Sequence, residues 1–162
     1  MQGVNRRALN EDLGYVLKQA QMALHAAMDG VLRPCGLTVS QYSCLELLHR
    51  VPEQTNAQLA RGVFVTAQSM NDVLRGLQRR GLVERSAVAA SGRSRPAHLT
   101  ARGRQAVLEA RQALEPVQLV MEAITQAPEH SQLLNSLRAI VIAFEGDVPA
   151  TEKTTPTTDG DS

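Results

Sequence analysis

The sequence predicts a mostly α-helical chain carrying a small two- or three-stranded β element, and three observations predict it. Of the 162 residues 43% are hydrophobic but only 2% are aromatic, so the core must be built from Leu, Val, Ala, Ile and Met on helices rather than from stacked rings. Apolar residues recur at steps of three and four through most of the chain. Leu82 to Arg85 and Ala97 to Leu99 look like one pair of short strands. At this length the chain is one domain, or one domain with an oligomerisation extension.

Met1 to Leu9 is a polar arm with Arg6 and Arg7, expected to be poorly ordered. Asn10 is placed to cap a long helix whose stripe of Leu13, Leu17, Ala20, Leu24, Ala27 and Val31 resembles a coiled-coil seam. Such a seam exceeds what a small domain needs to cover its own core, and it reads as a dimer element. Pro34, Cys35 and Gly36 break the chain, and Thr38 with Gln41 makes a capping box for a helix carrying Tyr42, Leu45 and Leu48. Val51-Pro52 ends that helix.

From Thr55 to Thr100 the order is helix, turn, helix, then a two-stranded wing. Thr55 caps a short helix with Ala57, Leu59, Ala60 and Val63 on one face, and Phe64 and Val65 follow. Thr66 caps the second helix, in which Met70, Val73, Leu74 and Leu77 form the apolar stripe, and Gly81 stops it as a C′ glycine. Between the strands, Ala89 to Pro96 is a small-residue loop holding Gly92, Arg93 and Arg95. Thr100 caps a long helix through Val107, Leu108, Leu114, Val117, Met121 and Ile124, with Pro116 expected to bend it. Pro128 separates a last helix with an apolar face of Leu133, Leu137, Ile140, Val141 and Phe144. Gly146 to Ser162 has too few apolar residues to bury and is expected to be disordered.

Formal net charge is only +1, yet Thr55 to Arg111 holds ten arginines against three acids, while Glu145 to Ser162 holds five acids and one lysine. Fifteen of the seventeen basic residues are Arg, which binds phosphate and guanine edges bidentately. A high-GC coding bias would explain that ratio but not the clustering. The exposed side of the second helix offers Gln68, Ser69, Asn71 and Arg75 near its Thr66 cap, the amide, hydroxyl and guanidinium chemistry that reads base edges in a major groove. Arg93 and Arg95 in the wing are placed to follow a phosphate backbone or enter a minor groove. Arg79, with Arg61, Arg80 and Arg85, suits phosphates or acidic partners.

Neither a Gly-rich phosphate loop, a nucleophile elbow nor a convergent carboxylate pair is present, which argues against an enzyme and against a cofactor. His25, His49, His98 and His130 lack metal-ligand spacing, so no metal is expected. Cys35 and Cys44 flank a helix start, nine residues apart, where bridging would need Cα atoms within about 7 Å; buried inert thiols are the expectation. With no signal peptide and no bilayer-length apolar run, a cytoplasmic protein without membrane attachment is expected.

The chain resembles the MarR-type winged helix-turn-helix transcriptional regulators. The resemblance is carried by GLTVSQYSCLELL (36–48), Leu59-Ala60, VLRGLQRRGLVER (73–85), Arg93 in the wing and LTARG (99–103), and it covers about Glu11 to Glu145. It implies residues 1–34 as arm and dimerisation helix, 35–100 as the DNA-binding domain, 101–145 as C-terminal dimerisation helices interleaved with the partner's first helix, and 146–162 as an acidic tail. It further implies a homodimeric repressor on a pseudo-palindromic duplex DNA operator, released by a small anionic or phenolic ligand. His25, Tyr42, His49 and Arg111 would line the effector pocket, although an ordinary surface or core role fits them as well. Two alternatives stand beside this reading, a thiol-based redox sensor and an architectural DNA-binding dimer. Peroxide-sensing relatives carry a cysteine early in the first helix, where this chain has Gly14.

Two departures from the family pattern matter. Ser91 stands where the wing usually carries an Asp two residues before its Arg, so a looser wing is expected. Phe64 stands where the turn often has Gly, which implies a turn that avoids positive φ or a ring that fills a gap in the core.

Overall fold

The computed structural model describes residues 11–86, 95–126 and 128–145, so the arm, most of the wing loop with Arg93, and the acidic tail lie outside the described residues. The chain divides into two compact units, Met1–Val120 and Met121–Ser162.

In the first unit, α1 (Leu13–Leu32) starts from Asp12, whose side chain accepts the Tyr15 N–H at 2.7 Å. The cap is therefore Asp12 rather than Asn10, because the carboxylate three residues before Tyr15 is the one that reaches a free amide of the first turn. Leu32 is fully buried, and Met28 and Val31 pack against the core. Further up the helix the seam residues Leu13, at 71%, and Leu17 are exposed, and so are Val16 and Met22 beside them. Only the C-terminal end of α1 is thus used by its own head.

A 3-10 turn at Arg33–Cys35 and Gly36, at φ +67°, redirect the chain into α2 (Val39–Arg50). Both bonds of the Thr38/Gln41 capping box form, at 3.2 and 3.1 Å. A second box, Thr55 with Gln58, opens α3 (Asn56–Val63). Tyr42, Leu45, Leu48 and Leu59 all face the core.

Phe64 overturns both sequence expectations. It adopts φ +60°, its N–H reaches back to the Ala60 and Arg61 carbonyls, and its ring is 84% exposed. A left-handed residue here satisfies the last carbonyls of α3, and the flanking Val63 and Val65 already supply the inward side chains. The conformation is imposed by the helix end, whatever residue stands there. Because Gly adopts it without a Cβ penalty, Phe64→Gly is expected to raise stability by roughly 0.5–1 kcal/mol, after the entropy Gly adds to the unfolded chain. A loss of stability in urea unfolding would contradict this.

α4 (Ala67–Arg79) is capped by Thr66 and buries Met70, Leu74 and Leu77 completely; Gly81, at φ +68°, follows its end as expected. β1 (Val83–Arg85) pairs antiparallel with β2 (Ala97–Leu99), Val83 opposite Leu99. Gln54 adds a one-residue bridge on the outer edge of Ala97. α5 (Ala101–Ile124) runs through Pro116 as one helix. Its start is locked to the turn before β1. The Thr100 hydroxyl accepts the Gly103 N–H at 3.0 Å and donates to the Gly81 carbonyl at 2.7 Å, while the Thr100 N–H bonds the Leu82 carbonyl.

In the second unit, α6 (Glu129–Glu145) leaves Leu133, Val141, Ile142 and Phe144 exposed, with Leu137 and Ile140 half-buried.

Candidate nucleic-acid interface

α4 is held at both ends before any ligand is considered. At its start the Asn56 side-chain amide donates to the Ala67 carbonyl at 3.1 Å, and just past its end Arg80 donates to the Gly36 carbonyl at 2.6 Å. With Met70, Leu74 and Leu77 fixed in the core, the opposite face is presented as a rigid surface.

That face gathers several of the residues singled out in the sequence. Gln68, Asn71 and Arg75 line a shallow open depression of about 460 Å³ together with Gln78 and with Arg85 of β1. Thr66 and Ser69 lie at the helix start with their side chains joined, Thr66 accepting the Ser69 N–H and donating to the Ser69 hydroxyl at 2.9 Å. Arg75 is paired with Asp72, which pre-aims the guanidinium along the helix surface; both side chains remain exposed. Arg79 and Arg95 are exposed, and Arg93 falls outside the described residues. Gln78 is not among the residues expected from the sequence, and Arg85 is expected there only to meet phosphates or acidic partners. Gln78 lies at i+3 and i+7 from Arg75 and Asn71, a helical spacing that could have found it.

The four residues assigned to an effector pocket are not brought together. Tyr42 and Arg111 meet through Glu46, which the sequence reading did not single out. Arg111 of α5 grips this carboxylate with two bonds of 2.9 Å each, Arg50 adds a bond of 2.6 Å, and the Tyr42 hydroxyl lies 3.4 Å away. The Glu46 side chain is only 14% exposed, and the Arg111 guanidinium first, then Arg50, hold its carboxyl down at about 2. Burial and the nearby Glu46 carboxylate raise the Tyr42 phenol above its ordinary value. His25 instead lines a separate open depression with Gln21, Met22, Ala26 and Asp29, and His49 is half-buried on α2.

Cys44 is buried, and burial pushes its thiol up to about 12; Cys35 is half-buried. A thiol so disfavoured as thiolate is a poor sensor. Among the described residues, no group of three or more His, Cys, Asp or Glu is arranged to hold a metal ion, and no helix is long and apolar enough to cross a membrane.

A family model described as MarR family matches residues 36–94. The HTH-type transcriptional repressor Rv2887 of Mycobacterium tuberculosis (strain ATCC 25618 / H37Rv) is 38% identical over 128 residues, spanning 79% of this chain and 92% of that one. Among solved structures, the Mycobacterium tuberculosis MarR family protein Rv2887 in complex with salicylic acid is 37% identical, with a TM-score of 0.63 over 80% of this chain and 96% of that one. The transcriptional repressor CouR bound to a 23-mer DNA duplex is 26% identical, with a TM-score of 0.77 over 86% of this chain and 99% of that one. With the helix-turn-helix and wing in place, and with that identity sustained along almost the whole repressor, this chain belongs to the MarR family of winged helix-turn-helix regulators.

Proposed function

We propose that the protein is a cytoplasmic homodimeric repressor that acts by binding rather than catalysis, closing a pseudo-palindromic operator and leaving it when a small anionic or phenolic ligand binds. The observation that carries the reading is the surface of Gln68, Asn71, Arg75, Gln78 and Arg85, amides and guanidinia on one rigid helix face with a wing strand beside it. Amides suit adenine edges and guanidinia suit guanine edges or phosphates. The repressor CouR, similar along 86% of this chain, is seen on duplex DNA.

Dimerisation is supported by the exposed apolar side chains Leu13, Val16, Leu17 and Met22 on α1, and by Ile142 and Phe144 on α6. Residues 1–34 and 101–145 would supply the dimer helices, and 35–100 the reading head. Ligand release is supported by the salicylic acid complex of the related Mycobacterium tuberculosis protein. In this chain Glu46 occupies the Nε and Nη2 edge of Arg111, so an anionic ligand reaches this guanidinium through its remaining N–H groups or by displacing Glu46. His25, Tyr42, His49 and Arg111 are therefore proposed as pocket residues only by the resemblance.

Selection from a random duplex library with the purified chain should return one motif with half-sites centred about 10–10.5 base pairs apart. Asn71→Ala should relax preference at one position of each half-site by roughly 1–3 kcal/mol, whereas Arg95→Ala should weaken all sequences alike and flatten the salt dependence by about one phosphate contact. Enrichment of no motif would replace this reading with an architectural DNA binder.

A further inference from the structure

The root of the wing is tied from outside, by the loop between α2 and α3. Glu53, in the loop between α2 and α3, is one of two non-glycine residues with positive φ among those described, at +59°. A glutamate in this region is strained, and the strain persists only where the surroundings hold it. Glu53 is held at the root of the wing. One carboxylate oxygen accepts the hydroxyl of Ser86, immediately after β1; the other lies 3.2 Å from Nδ1 of His98 on β2, in contact but outside hydrogen-bond geometry, so the Ser86 bond is the directional one. His98 also faces Glu84, its cross-strand partner, with Nε2 at 3.8 Å. Next door, Gln54 exchanges both backbone bonds with Ala97, at 3.3 and 2.8 Å, so the loop is already registered on the edge of β2.

We propose that Glu53 is a positioning residue for the wing, its carboxylate tying Ser86 to the α2–α3 loop beside His98 and so fixing where Arg95 meets the duplex. The proposal rests on the reading that head and wing bind DNA. Nothing in it requires Glu53 to touch the nucleic acid. A loose wing would sample many orientations and gain less from each phosphate it reached; a clamped one meets the flanks preorganised.

The test has a DNA-free arm and a DNA arm, on Glu53→Ala and, from the other end of the bond, Ser86→Ala. In the free protein, hydrogen exchange at the Ser86 and Ala97 amides should quicken in both variants, with the Leu74 amide unchanged. On DNA, the parent should bind a selected operator with flanking base pairs more tightly than the bare core site, and each variant should lose roughly three- to tenfold of that flank gain while holding core affinity within about twofold. The double variant should be no worse than either single one. Unchanged exchange at the wing root, a full flank gain in the variants, or no flank gain in the parent would each overturn the clamp. Absence of sequence-selective binding in the parent is a separate result, visible before any substitution, and would remove the DNA reading itself.

Discussion

Gly103→Ala is expected to destabilise the protein by about 3 kcal/mol, at the upper end of what overpacking costs. A Cβ at this buried position would stand 1.9 Å from the Leu82 carbonyl oxygen and 3.0 Å from its carbon, and this obstacle is backbone with no rotamer to yield. The same carbonyl accepts the Thr100 N–H, and Gly103 itself donates to the Thr100 hydroxyl, so the start of α5 cannot back away without breaking the lock on Gly81 and Leu82. Gly62→Ala is the control. Its Cβ would meet Leu47 Cδ2 at 2.4 Å, but that is the tip of a flexible side chain. The roughly 1 kcal/mol that Ala gains over Gly inside a helix should offset the repacking there. Urea unfolding of both variants at one protein concentration should separate them, and equal stabilities would refute the steric account.

A second large effect lies in the acid range. Glu46 titrates near 4.5 in an unfolded chain and at about 2 in the folded one, because Arg111 and Arg50 hold the carboxylate. Its folded value is depressed, so the stabilisation is complete above about pH 4.5, where both states are ionised. Between about pH 4.5 and 2 the unfolded chain takes up the proton first, and the stabilisation is lost. The shift corresponds to about 3 kcal/mol at most, and the bond to α5 makes it a tertiary contribution rather than a local one. Glu46→Gln should therefore be less stable than the parent by up to about 3 kcal/mol at pH 6, and the gap should close as pH falls towards 2. A gap that stays constant through this window would show that the ion pair contributes nothing beyond packing.

What could be read from the sequence was what is decided within a few residues. Thr38 with Gln41, Thr55, Thr66 and Gly81 mark helix ends through bonds spanning three or four positions, and each stands where the spacing put it. Competition between neighbours is harder to read, as Asp12 and Phe64 show. Two good caps lay near the start of α1, and the left-handed demand at the end of α3 outweighed the aromatic side chain's dislike of exposure. The α1 seam was legible as apolar, but periodicity does not say that Met28, Val31 and Leu32 turn inward while Leu13 and Leu17 stay uncovered. The bracket of Glu46 with Arg111, 65 residues away, and the approach of Gly103 to Leu82 are products of tertiary folding, and no local pattern announces them. Gln68, Asn71 and Arg75 could be placed on one face from the sequence because one helix carries all three; Arg85 lies beside them only once the wing strand is folded next to α4.

The Tyr42 bracket also gives the protein a built-in optical probe. The chain has no Trp and only two Tyr, and Tyr15 is already partly in solvent while Tyr42 is buried with its hydroxyl beside a carboxylate. A phenol next to a carboxylate is a dim emitter, since the acceptor drains the excited state. Unfolding, or a ligand that draws Glu46 away, is expected to brighten Tyr42 over the emission of Tyr15, which would report the state of the α2–α5 junction without a label.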